Sequence, residues 1–129
     1  MEQISVPVSP GELVDKITIL EIKAERITDE EKLQNVKTEL ELLVQVWEAV
    51  SLDTEAILPL KETLKGINQA LWDIEDQIRI KESRQEFDQE FINLARSVYV
   101  QNDQRAAAKK QINAMLGSSI MEEKSYAEY

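Results

Sequence analysis

Val8-Ser9-Pro10-Gly11-Glu12-Leu13 opens the stretch VSPGELVDKITILEIKAERI (residues 8–27) and reads as a complete helix start. Ser9 is placed to accept from the backbone N–H of Glu12, with Glu12 reaching back to Ser9. Pro10 takes the first helical position, and Val8 can staple to Leu13. Leu13, Ile17, Leu20, Ala24 and Ile27 then recur at spacings of four and three, a helical stripe. Ile19 and Ile22 fall on roughly the opposite side at about 100° per residue. A helix on the outside of a domain carries its apolar groups on one side. This one is therefore expected to lie at the centre of a bundle or to be shared with a second chain.

Working outward, Thr28-Asp29-Glu30-Glu31 repeats the capping logic, with Thr28 as N-cap and Glu31 at the third position. The second helix that follows carries Leu33, Val36, Leu40, Leu43, Trp47 and Val50 as its stripe, with Leu42 and Val46 widening it. Its short connection makes it an antiparallel neighbour of the first. Residues 51–58 read as a loop or a short turn of helix, after which Pro59 starts a third helix running to about residue 83. Leu60, Leu64, Ile67, Leu71, Ile74 and Ile78 are its seam, and Gly66 within it costs up to about 1 kcal/mol relative to Ala. Beyond Ile78 the phase is lost, which predicts a turn, with Asp88 as the next N-cap and Ile92 stapling onto Phe87. Phe91, Leu94, Val98, Ala108, Ile112 and Met115 share one register. They predict a single continuous helix across Asn102-Asp103, ending at Gly117. The fold class expected is all-α: one domain over residues 1–129, an antiparallel bundle of about four main helices. Residues 1–9 form a short N-terminal arm and residues 118–129 a tail, with Ile120, Met121, Tyr126 and Tyr129 available for docking.

Composition agrees, with three Gly and three Pro among 129 residues, 43% hydrophobic and 31% charged. Twenty-five acidic against 15 basic side chains leave a charge of −10, which argues against nucleic acid or an anionic membrane as partner. There is no Cys and no His, so disulfides, thiolate chemistry and the commonest catalytic base and metal ligand are all missing. No cofactor is expected. The start has no apolar core of a secretory signal, no apolar run is long enough for a bilayer, and the cytoplasm is the expected compartment.

The charge is uneven. Residues 96–113 hold Arg96, Arg105, Lys109 and Lys110 against Asp103 alone, a local +3. On that helix Tyr99, Asn102, Arg105, Lys109 and Asn113 fall within a sector of about 120° beside the apolar stripe. Cations and amide donors so grouped can hold a phosphate or carboxylate. Alternatively Arg105 pairs with an acid from another helix, for which Glu75 is a candidate. Helical carboxylates offer a different chemistry, because magnesium takes oxygen ligands; the candidate set is Glu12, Asp15, Glu75 and Asp76. Each of these reads equally as solvated surface, although Asp15 shares the side of Ile19 and Ile22. Trp72 and Ile80, with Ile19 and Ile22, lie off the seams and suit a homodimer face.

Three blocks carry a resemblance: SPGELVDKITILEIK from Ser9 to Lys23, LWDIEDQIR from Leu71 to Arg79, and FINLARSVY from Phe91 to Tyr99, the last continuing to EEKSY at Glu122 to Tyr126. Together the chain resembles a family of small bacterial proteins known only as a domain of unknown function. The resemblance implies a cytoplasmic helical protein, in a family sometimes associated with cell-surface polysaccharide genes, and supplies no catalytic residues. The function expected is binding: a non-catalytic accessory module for a small anionic ligand or a partner protein. Two other readings stay open, a magnesium-dependent phosphohydrolase acting on a nucleotide-like substrate and a purely structural homo-oligomer.

Overall fold

The computed structural model describes residues 3–50 and 55–129, so the expected break at residues 51–54 lies outside the described residues. Among the described residues four α-helices follow one another: α1 (Pro10–Arg26), α2 (Glu30–Glu48), α3 (Leu58–Ser83) and α4 (Gln89–Met115). A 3-10 turn at Glu55–Ile57 leads into α3. The described residues contain no strand.

The helix ends show which sequence signals acted. Ser9 caps α1 by accepting from the Glu12 N–H at 3.2 Å. Its reciprocal partner does not close the box, because the Glu12 carboxylate turns instead to Lys109 at 2.6 Å. The cap of α2 is Asp29 and not Thr28: Asp29 Oδ2 accepts from the Lys32 N–H at 2.9 Å. A carboxylate is the better acceptor and places negative charge at the positive end of the helix dipole. Asp88 caps α4, accepting from the Phe91 N–H at 3.0 Å. The aromatic contact there joins Phe87 edge-on to Phe91, ring centroids 5.2 Å apart. α4 runs unbroken through Asn102-Asp103 as expected. It ends at Gly117, whose φ of +65° lets the Ser118 N–H reach back to the Asn113 carbonyl at 2.9 Å. At the end of α3 Gln85 takes the same left-handed role with φ +53°.

α1 is the central element. It packs against α2, α3 and α4, whereas among the described residues α2 approaches no helix but α1. This accounts for the apolar groups on both sides of α1: Leu13, Val14, Ile17, Leu20 and Ile22 are all buried. By contrast α2 buries only Val36, and Leu42 and Val46 are exposed. The core joins Val14 to Ile57, Leu64, Ile67, Ala108 and Ile112, with Trp47, Leu60, Leu71 and Leu116 packed around it. Glu55–Ile57 is the short turn of helix that was one of the two readings for this stretch, and its Ile57 is a core residue and the buried foot of α3.

Length decides the rest of the shape. At about 1.5 Å per residue, α1 spans about 26 Å and the α3–α4 hairpin about 40 Å. No residue from 69 to 107 is fully buried; α1 reaches Arg105 through Asp15 and Asp73 through Arg26, and the distal hairpin continues past these contacts. Its turn is clamped by Lys81, a seam position where an apolar residue would continue the stripe. The Lys81 ammonium contacts Glu86, Asp88 and Glu90 at 3.2, 2.8 and 3.1 Å.

Candidate functional site

α1 and α4 cross antiparallel at their closest approach, and Gly11 is what permits it. A Cβ on Gly11 would collide with the Lys109 carbonyl oxygen and lie 2.8 Å from Asn113 Oδ1. With no Cβ there, the Gly11 N–H donates to Asn113 Oδ1 at 2.7 Å, a buried bond linking residues 102 apart in sequence. It satisfies one of the donors that the first turn of a helix leaves free. One turn along α1 this register brings Asp15 opposite Arg105.

Asp15 is 1% exposed, and its carboxylate is fully engaged. Arg105 donates from Nε to Oδ1 at 2.9 Å and from Nη2 to Oδ2 in a two-pronged bond. Asn68 Nδ2 on α3 donates to Asp15 Oδ1 at 2.9 Å and to Thr18 Oγ1 at 3.0 Å, and Lys109 Nζ lies 3.9 Å from Oδ2. The Asp15 carboxylate raises the pKa of the Arg105 guanidinium. Burial pushes the Lys109 ammonium down, but its bonds to Glu12 and Glu122 outweigh that and hold it above the ordinary lysine value. A buried charge needs this full set of partners. Arg105 therefore pairs with Asp15 and not with Glu75, whose partner is Arg79 one turn away on the same helix.

The five residues of the predicted anion sector divide by role. Arg105 and Asn113 tie α4 to α1. Tyr99, Asn102 and Lys109, with Arg105, line a groove of about 610 Å³ whose other wall includes Glu12, Lys124 and Tyr126. It continues into a larger groove of about 980 Å³ between α4 and the tail, floored by Ala106 and Ala107. The tail creates this wall. After Gly117 the chain turns back along α4, placing Glu122 on Lys109 at 2.9 Å and Glu123 on Lys110 at 3.5 Å. Lys124 bonds Asp103 at 2.6 Å, the Tyr129 hydroxyl donates to Asp103 at 2.8 Å, and the Tyr99 and Tyr129 rings lie 4.8 Å apart. Lys124 and the Tyr129 hydroxyl hold the Asp103 carboxyl below its usual range.

Of the docking residues expected in the tail, Tyr129 touches Asp103 and Tyr99 of α4 but is largely exposed, as are Ile120, Met121 and Tyr126. The tail is held chiefly by charge. Its acids Glu122 and Glu123 were missed by sequence reasoning, although two consecutive acids opposite the +3 segment were a visible signal. Asn68, a polar residue beside the α3 seam, was another.

The four carboxylates of the magnesium reading do not gather. Glu12 lines the groove beside Lys109, whereas Glu75 and Asp76 line a separate mouth of about 420 Å³ over Ile19, Ile22, Leu71 and Trp72. Among the described residues no three acidic side chains are placed to hold a metal ion. Of the expected self-association face, Ile22 is buried within the chain, Ile19 and Trp72 are half-buried, and Ile80 is exposed. No helix among the described residues is long and apolar enough to cross a membrane.

The fold and site define an all-α protein built on a central helix, with a buried Asp15 paired to a half-buried Arg105 beside a groove of mixed charge that its own tail helps to wall. The chain belongs to a family of unknown function, DUF6165, whose model matches residues 4–129. Neither the curated proteins nor the solved structures contain a match to it.

Proposed function

We propose that this protein is a non-catalytic binding module whose groove along α4 takes a small anion, a phosphate or carboxylate. The observation that supports this reading is Lys109. Its ammonium sits at the junction of both grooves, 10% exposed, and one of its two close partners is Glu122, a carboxylate from an exposed tail. An exchangeable carboxylate on a largely buried cation marks where an external anion would bind. Tyr99 and Asn102 supply further hydrogen-bonding groups on the same wall. Arg105, committed to Asp15, acts as a positioning residue that holds α4 in place.

A thermal-shift titration with phosphate, pyrophosphate and citrate tests the reading, because a ligand bound only by the folded state stabilises it by about 2.7 kcal/mol at one hundred times its Kd. The wild type should gain stability with at least one of the three, and Lys109→Gln should lose most of that gain while remaining folded. A wild type indifferent to all three at millimolar concentration would refute it. Self-association through the exposed apolar residues of α2 and the distal hairpin is a second property to measure in parallel. A mass that rises with protein concentration would support it.

A further inference from the structure

The mouth of about 420 Å³ over Ile19, Ile22, Leu71 and Trp72 shares Arg105 with the smaller groove along α4 and is otherwise separate from it. Its most deeply buried polar side chain is Asn68, 6% exposed. Both N–H groups of the Asn68 amide are spent, one on Asp15 Oδ1 and one on Thr18 Oγ1. A carboxylate accepts and does not donate, so the amide cannot be turned over. Asn68 Oδ1 therefore points away from this network. It takes no hydrogen bond from a described residue and is open to solvent at the mouth. Beside it Arg105 spends two of its five N–H groups on Asp15, and the others meet no acceptor among the described residues. Asn68 Nδ2 and Arg105 Nε each lie 2.9 Å from one oxygen, Asp15 Oδ1, so the amide and the guanidinium are immediate neighbours. An unspent acceptor and unspent donors thus adjoin an apolar floor. Water can serve the polar groups but gains nothing from the floor.

We propose that this mouth is a second binding site, for a neutral aromatic amide. The amide N–H donates to Asn68 Oδ1, its carbonyl accepts from Arg105, and the ring lies against Ile19, Ile22, Leu71 and Trp72. An amide carries one donor and one acceptor side by side, which is what the two neighbouring groups leave open. Charge favours the neutral class. The wall holds two acids, Glu75 and Asp76, and two bases, Arg79 and Arg105, so neither an anion nor a cation gains from it as a whole. A carboxylate in place of the amide would set oxygen against Asn68 Oδ1 beside the buried Asp15, and an ammonium would stand next to Arg105. The volume falls within the range of small-molecule sites, about 300–1,000 Å³. Because the wall is drawn from α1, α3 and α4 together, a bound ligand ties the junction of the three helices. The site is independent of the anion reading above.

The test titrates the full chain with benzamide, benzoate and benzylamine, which share one ring and differ in the group it bears. NMR follows the side-chain amide of Asn68 and the backbone amides of Ile19 and Trp72, with Tyr99 and Lys109 reporting on the α4 groove. Benzamide should bind with millimolar affinity, as suits so small a probe, shift the Asn68 side-chain signals and leave Tyr99 and Lys109 in place. It should bind at this mouth about five-fold or more tighter than either of the others, since each of them leaves one hydrogen bond unmade. Trp72→Ala removes part of the floor without touching Asn68, Asp15 or Arg105, and should weaken benzamide by about five-fold. If that variant does not fold, the comparison of the three probes on the wild type decides alone. Equal affinity for all three would show a floor without amide recognition and overturn the proposal. So would benzoate binding tightest at the mouth, or Asn68 signals unmoved by benzamide at about 50 mM, well above the affinity expected of so small a probe. None of these results bears on the anion site of α4, whose own titration stands apart.

Discussion

Replacing Gly11 with Ala adds one methyl group at the tightest point between α1 and α4. The new Cβ would lie within clashing distance of the Lys109 carbonyl oxygen, a backbone atom inside a continuous helix, and 2.8 Å from Asn113 Oδ1. Neither can yield freely, since Asn113 is 2% exposed and its oxygen accepts the Gly11 N–H. The helices must separate or Asn113 must swing away. Overpacking of this kind costs about 1–3 kcal/mol, and a buried donor or acceptor left without its partner costs about 1–3 kcal/mol more. The better helix propensity of Ala returns at most about 1 kcal/mol. The net loss should be about 1–5 kcal/mol. For 129 residues the entropy of unfolding is about 270 cal/mol/K, so 1 kcal/mol moves Tm by about 4 °C. Gly11→Ala should therefore melt about 4–19 °C below wild type. Gly66→Ala is the internal control: it lies in mid α3 with nothing within 4 Å of an added Cβ, and should gain up to about 1 kcal/mol. Calorimetry on the two variants measures both. If Gly11→Ala melts at or above the wild-type temperature, the close approach of α1 and α4 is not as described here and the register that brings Asp15 to Arg105 loses its cause.

Asp15→Ala should cost about 3–5 kcal/mol, because it strands Arg105 and Asn68 without their shared acceptor; chemical denaturation reads this directly, and a loss under 1 kcal/mol would show the pair to be incidental. Gln85→Gly should stabilise by about 1 kcal/mol, since the left-handed backbone there penalises any side chain; an unchanged denaturation midpoint would refute that. Tail docking should weaken in acid. The Asp103 carboxyl is depressed by Lys124 and then by Tyr129. Its contribution is present above the unfolded value of about 3.9 and is lost as pH falls through the lower folded one. The Tyr129 amide shift followed from pH 6 to pH 2 measures it. At the alkaline end the raised Lys109 contributes fully below about 10.4 and loses that contribution as pH rises through its folded value. Lys109→Gln should flatten that limb of the stability curve.

What the sequence by itself determined is whatever neighbours along the chain can settle. The Ser9 cap, the continuity of α4 through Asn102-Asp103 and the Gly117 stop depend on residues within a turn or two of one another, and periodicity reports them. Apolar groups on both sides of α1 likewise demanded partners on both sides, but only the packing of α2, α3 and α4 around it decided for a central helix over one shared with a second chain. Local rules failed where a nearby rival acted. Asp29 displaced Thr28 as the cap of α2 because its carboxylate is the stronger acceptor one position on. The site was legible only as an excess of charge. Nothing local distinguishes an Arg105 that meets a ligand from one that meets Asp15, 90 residues away. The choice depends on how closely α1 approaches α4, which a missing Cβ at Gly11 sets. Likewise the +3 of residues 96–113 marked where acids would be drawn. Only the reversal of the chain at Gly117, bringing Glu122 and Glu123 back along α4, decided that the first acids to arrive are the protein's own.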